Sequence, residues 1–196
     1  YGPSTLRVGL EKSRNLMTVR IAQNLGIDEL ANFSKKLNIY QDPDELLSIS
    51  LGSAETTLLN LTSAYSSFVN GGKLISPIII DRIQDGEGNT IINNENRKCA
   101  NCDKISFTGE DYPFIEDNYE QIMSEQTAYQ ITSILEGVIK RGTGKKLKEL
   151  KLNLAGKTGT TNENTDAWFV GFTSNLVVGV YVGMDNPKPL GKFETG

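Results

Sequence analysis

Ala155-Gly156-Lys157-Thr158-Gly159-Thr160-Thr161-Asn162 decides how the chain folds and where its chemistry sits. It lies between a polar, lysine-rich segment (145–152) and an apolar segment (167–184). The pattern reads as strand, turn, strand: Leu152, Leu154 and residues 157–161 extended, 162–165 turning, and 166–172 returning. Threonine favours extended backbone, and Gly159 leaves space where another backbone or a ligand approaches closely. Side chains alternate along a strand, so Lys157 and Gly159 share one face while Thr158 and Thr160 share the other. A carboxylate along that edge would meet an ammonium, hydroxyls and backbone N–H groups together. Alone, the same string is also compatible with an exposed hairpin end, so the rest of the chain must decide.

The chain has 196 residues, 38% apolar and 22% charged, the composition of a globular protein with a real core. A net charge of −4 gives no support for nucleic-acid binding. The longest apolar run, Leu176 to Met184, has nine residues, against roughly 20 for a membrane span. There is no histidine. Ser-His-Asp, Cys-His and His-Glu-x-x-His arrangements are therefore absent from this chain, and proton transfer within it falls to Lys, Asp, Glu or Tyr. No cofactor is expected. Cys99 and Cys102 form a C-x-x-C in a polar loop. Two thiols without histidine do not complete a zinc site, which leaves a loop-stapling disulfide or a reduced pair.

Working outward, Ser4 is expected to cap a short helix with Leu6 and Leu10 inward. A second helix carries Met17, Ile21 and Leu25 and stops at Gly26. Between them lies Ser13-Arg14-Asn15, whose plain reading is capping. Asp28 caps a third helix with Leu30, Phe33 and Leu37 on one face. A strong helix follows, with Leu58, Leu61, Tyr65 and Phe68 inward, ending at Asn70-Gly71-Gly72. Residues 78–84 and 89–92 form a hairpin around Asp85-Gly86-Glu87-Gly88. An inserted loop occupies about 93–123. Ser124 caps the clearest helix, with Ala128, Ile131, Leu135 and Val138 inward. Six basic residues then crowd into 140–151, a solvated face or a contact for an anionic partner. Strands at 166–172 and 175–184 close the sheet. Helices first and an antiparallel sheet last indicate an α+β fold: a helical subdomain plus the sheet.

Ser-x-Asn at Ser13-Arg14-Asn15, followed by Lys157-Thr158-Gly159, forms two parts of a three-part set associated with penicillin-binding proteins and class A β-lactamases. The third part, Ser-x-x-Lys, is absent, because no lysine here has a serine three residues before it. Residues 4–16, Leu51-Gly52-Ser53-Ala54-Glu55, Phe68-Val69-Asn70-Gly71-Gly72, Arg141-Gly142-Thr143-Gly144 and 155–162 with Asp166-Ala167-Trp168-Phe169 form an ordered series. That series resembles the transpeptidase domain of bifunctional, class A penicillin-binding proteins over nearly the whole chain except 93–123.

The resemblance implies a partial transpeptidase fold: the C-terminal part of one domain, beginning after the nucleophilic serine and ending before the last helix. It implies acyl transfer from peptidoglycan stem peptides ending in D-Ala-D-Ala, and acylation by β-lactam antibiotics when the domain is complete. Ser13 would bridge two lysines and relay a proton, and Asn15 would hold a substrate amide. Lys157 would attract the substrate carboxylate, with Thr158 and Thr160 as hydroxyl donors and Lys157 reaching around to them. The Thr160 N–H would be one oxyanion donor, and Gly159 would admit the substrate along the strand. Asp166 and Trp168 would steady the hairpin. The resemblance further implies an upstream glycosyltransferase domain and membrane anchor, at the periplasmic face of a bacterial inner membrane. A non-catalytic β-lactam-sensing or peptidoglycan-binding relative and a serine β-lactamase are the competing readings.

Overall fold

The structure, a computed structural model, describes residues 2–94, 97–102 and 112–191. The chain divides into two compact units, one formed by Tyr1–Ile75 with Gln121–Gly196 and the other by Ser76–Glu120.

The larger unit begins with α1 (Leu6–Glu11), α2 (Asn15–Leu25) and α3 (Ile27–Lys36), followed by a 3-10 turn (Leu47–Leu51) and α4 (Leu58–Val69). After the smaller unit come α5 (Glu125–Arg141), a second 3-10 turn (Lys145–Leu150) and three strands. Numbered in chain order after the four short strands of the smaller unit, these are β5 (Ala155–Thr160), β6 (Ala167–Phe172) and β7 (Val177–Val182). The strands form an antiparallel sheet in the order β5-β6-β7. The result is the expected α+β arrangement of helices and antiparallel sheet. No helix among the described residues is long and apolar enough to cross a membrane.

The core sits where α5 lies on the sheet. Leu135, Val138, Ala155 and Phe172 make its centre, with Leu10, Tyr65, Phe68, Val69, Ile131 and Val177 packed around them. α5 reads cleanly because Ser124 Oγ accepts from the Thr127 N–H as an N-cap and the apolar positions recur at helical spacing. Tyr65 is carried into this layer by α4, where burial pushes its phenol up to about 12. α4 is capped by Thr57, whose hydroxyl accepts from the Asn60 N–H, and ends where Gly71 and Gly72 take positive φ. A side chain at Gly72 would collide with the Met123 carbonyl, which is why the chain can return there.

Several local expectations are corrected. Thr5, not Ser4, caps α1 by accepting from the Val8 N–H, while the Ser4 hydroxyl accepts from Arg14. Leu6 is exposed, and α1 buries Gly9 and Glu11 instead. On α2 the buried residue is Ala22, with Ile21 and Leu25 exposed, because helical spacing identifies an apolar stripe but not what covers it. α3 is entered through Gly26 at φ 106°, one residue after α2, so Asp28 stands in its first turn rather than at its cap. Its buried residues are Ala31 and Ser34, with Leu37 buried just past its end and Phe33 exposed. Leu152 and Leu154 lie outside β5, because its partner ends at Phe172, opposite Ala155. Thr161 also falls outside, ahead of a 3-10 turn over Asn162–Asn164.

The smaller unit holds β1 (Arg82–Gln84) paired with β2 (Thr90–Asn93), and β3 (Cys99–Ala100) paired with β4 (Phe114–Ile115). The first hairpin is shorter than expected: Ile78, Ile79 and Ile80 are exposed and unpaired in the sheet, since β2 offers only four residues. Its turn is organised by Asp85, whose carboxylate accepts from Asn89 and from the Glu87 N–H. The Asn89 side chain, foremost, holds that carboxyl below the usual range. Cys99 and Cys102 are joined as a disulfide, with Cα atoms 5.7 Å apart. Of the loop expected at about 93–123, residues 95–96 and 103–111 lie outside the described residues. Ile122 and Met123 already belong to the larger unit, where both N–H groups donate to the Gly72 carbonyl.

Candidate active site

β5 presents the decisive stretch in strict alternation. Ala155, Lys157 and Gly159 stand opposite Phe172, Val170 and Trp168; Thr158 and Thr160 stand opposite Phe169 and Ala167. Ala155, Val170 and Phe172 are buried, so Lys157 emerges from the covered face of the sheet. Its ammonium donates to Ser13 Oγ at 2.8 Å and to the Thr158 carbonyl at 2.7 Å. Burial lowers the Lys157 pKa from its ordinary value.

Ser13 is delivered by the tight end of α1. Its N–H donates to the Leu10 carbonyl, and the Arg14 N–H donates to the Gly9 carbonyl. Ser13 itself takes φ 51°, a left-handed conformation costing a non-glycine residue about 1–2 kcal/mol. It is not a cap: Arg14 precedes α2 and makes no side-chain capping bond. The strained backbone is held because the end of α1 is fastened to the end of α5. Glu11, only 4% exposed, receives the Arg141 guanidinium on both carboxylate oxygens, at 3.2 and 2.5 Å. That pairing, led by the hydrogen bond to Glu11, raises the Arg141 pKa. Lys12 Nζ donates to the Arg141 carbonyl at 2.7 Å, and Arg7 donates to Ser133 at its carbonyl and hydroxyl. Gly137 and Gly142 make this approach possible, since a Cβ on either would strike Glu11.

The turn after α5 carries a further contact. Thr143 N–H donates to the Glu11 carbonyl at 3.2 Å, and its hydroxyl lies 2.7 Å from that of Thr158. Neither this contact nor the Glu11–Arg141 pair is foreshadowed by local sequence pattern. The one available signal was the Arg141-Gly142-Thr143-Gly144 string, which marked the segment without indicating what it touches.

Asn15 is the first residue of α2, exposed, with no hydrogen bond from its side chain to another described residue. Thr160 ends β5 and is exposed. A Cβ on Gly159 would stand 3.2 Å from Trp168 Cβ, close enough to press on the cross-strand tryptophan. Trp168 in turn packs on Tyr181, ring centroids 4.7 Å apart. Asp166 accepts from the Thr161 hydroxyl at 2.7 Å and from the Thr165 hydroxyl at 2.9 Å, and the Thr161 bond, foremost, lowers its pKa. Both residues brace the hairpin. A cleft of about 340 Å³ lies elsewhere in this unit, lined by Phe68, Tyr129, Ala155 and Phe172 among others, and includes none of Ser13, Lys157 or Thr158. The polar convergence, not the larger cavity, identifies the site.

A left-handed serine after a short helix, hydrogen-bonded to a lysine on an antiparallel strand, forms the candidate site. The chain belongs to the penicillin binding protein transpeptidase domain family, whose family model matches residues 1–196. It is 43% identical over 198 aligned residues to penicillin-binding protein 1A of Rickettsia bellii, covering all of this chain and 25% of that protein. A crystal structure of penicillin-binding protein 1A from Haemophilus influenzae matches with TM-score 0.82 and 33% identity, over all of this chain and 32% of that one. In fold alone, PonA1 from Mycobacterium tuberculosis, solved in complex with penicillin V, matches at TM-score 0.73 and 21% identity, over 95% of this chain and 49% of that one. The chain thus spans about a quarter of the length of the Rickettsia relative it matches.

Proposed function

We propose that this chain carries the proton-relay and carboxylate-binding side of a D,D-transpeptidase site that cross-links peptidoglycan. The observation that carries the reading is the 2.8 Å contact between Lys157 Nζ and Ser13 Oγ, formed across 144 residues. Family membership supports it.

In this reading a serine of a Ser-x-x-Lys motif, which residues 1–196 do not contain, attacks the penultimate carbonyl of a stem peptide ending in D-Ala-D-Ala. The serine Oγ–C bond forms, the C–N bond to the terminal D-alanine breaks, and the serine proton passes through the motif lysine and Ser13 Oγ to the leaving amine. An amine of a neighbouring stem then attacks the ester and regenerates the serine. Lys157, as a nearby cation, lowers the pKa of the motif lysine so that it can act as base. Lys157 also attracts the terminal carboxylate, with the Thr158 and Thr160 hydroxyls donating to it. The Thr160 N–H supplies one oxyanion donor, and the Asn15 amide holds the acyl chain. Gly159 lets the substrate lie along the strand edge.

β-Lactams present the same carboxylate and a strained amide, so they acylate the whole protein. That protein further carries a glycosyltransferase domain and a membrane anchor, and works at the periplasmic face of the inner membrane.

Intact-mass analysis with a β-lactam tests this. The full-length protein is expected to gain one penicilloyl group that persists for hours, and the 196-residue chain alone to gain none. Loss of the adduct within seconds would indicate a β-lactamase instead, and no adduct on the full-length protein a non-catalytic relative. A stoichiometric adduct on the isolated chain would overturn the assignment of the nucleophile.

A further inference from the structure

Thr143 lies outside the Ser-x-Asn and Lys-Thr-Gly motifs, yet it touches both halves of the site. Its N–H donates to the Glu11 carbonyl, two residues before Ser13, and its hydroxyl lies 2.7 Å from that of Thr158, next to Lys157. The turn that carries it is tied back to α5 by hydrogen bonds. The Gly142 N–H donates to the Gly137 and Val138 carbonyls and the Gly144 N–H to the Val138 carbonyl, while a Cβ on Gly144 would stand 2.8 Å from Ile139 Cδ1. Thr143 itself is exposed, so its side chain is not there to fill the core.

The chemistry of two touching hydroxyls then constrains the site. Each has one proton and two acceptor lone pairs. With nothing bound, either can donate to the other. A carboxylate at Thr158 removes that freedom, because Thr158 can donate to it only by accepting from Thr143. Resting on the function proposed above, we infer that Thr143 is a positioning residue for carboxylate recognition. Its hydroxyl donates to Thr158 Oγ1 and so commits the Thr158 proton to the substrate or β-lactam carboxylate. The two-hydroxyl chain also strengthens the outer bond, since a hydroxyl that accepts is a better donor.

The role predicts an effect on capture rather than on bond-making. In the full-length protein, acylation by a fluorescent penicillin is followed against its concentration, giving a half-saturating concentration and a limiting rate. T143V is expected to raise the half-saturating concentration roughly threefold to tenfold, the worth of one net hydrogen bond, and to leave the limiting rate within about twofold. T143S, which keeps the hydroxyl, is expected to restore wild-type capture, and T143A to behave as T143V. Because Thr143 acts through Thr158, T143V added to T158V is expected to cause no further loss.

Wild-type capture by both T143V and T143A would overturn the inference. So would losses that multiply in the double variant, or failure of T143S to rescue. Each of those outcomes leaves the proposed function standing, whereas absence of labelling in the unaltered protein removes that function and the inference with it.

Discussion

The Glu11 carboxylate, at the last position of α1, is buried and held by the Arg141 guanidinium at the last position of α5, 130 residues later. The pair is asymmetric, because the Glu11 side chain is 5% exposed and that of Arg141 54%. Removing the arginine therefore strands a buried carboxylate, with Arg7 the next cation at 3.8 Å. Removing the carboxylate leaves a guanidinium that water can still solvate. R141A is accordingly expected to melt at a lower temperature than E11Q, and both to slow penicillin acylation in the full-length protein by displacing Ser13. Melting curves with the order reversed would contradict this account of the clamp.

Lys157 titrates below its ordinary value of 10.5 because it is partly buried. The folded state therefore binds this proton less tightly than the unfolded chain. Between the lowered folded pKa and the ordinary unfolded one, stability from this group rises with pH, while the cation that the proposed function requires is being lost. The acylation rate is thus expected to decline on an alkaline limb beginning below 10.5. K157R, whose charge persists to higher pH, is expected to move that limb upward. A limb unmoved by K157R would assign the titration to another group.

Leu135 lies at the centre of the α5–sheet core with 3% exposure. L135A is expected to cost roughly 2–5 kcal/mol of unfolding free energy in urea. Ser124→Ala, which removes the α5 cap, is expected to cost about 1 kcal/mol. Equal costs for the two would mean that α5 is not seated on the sheet at Leu135.

The disulfide makes a simple chemical prediction. A thiol reagent is expected to label neither Cys99 nor Cys102 in the native chain and both after reduction. Labelling before reduction would favour the reduced pair.

Features resting on a local period were legible in the sequence. The Ser124 cap and apolar spacing gave α5, Gly71 and Gly72 marked the end of α4, and alternation placed Lys157 and Thr158 on opposite faces of β5. What stayed hidden depends on partners far along the chain. Nothing around Glu11 announces burial, because its reason, Arg141, is 130 positions away. Thr143 looks like one more turn residue until Thr158 is brought beside it. On α2 the stripe was visible but not which part of it is covered. Ser13 and Lys157 were paired only through the resemblance to a family, since no periodicity links a helix end to a strand across 144 residues.

The most direct test of that convergence is the acylation rate of the full-length protein by a fluorescent penicillin, with Ser13 replaced by alanine. If Ser13 relays the proton to the leaving nitrogen, S13A slows acylation about 100-fold or more, the range of general acid–base catalysis, without a matching fall in melting temperature. Acylation of S13A at the unaltered rate would contradict the account.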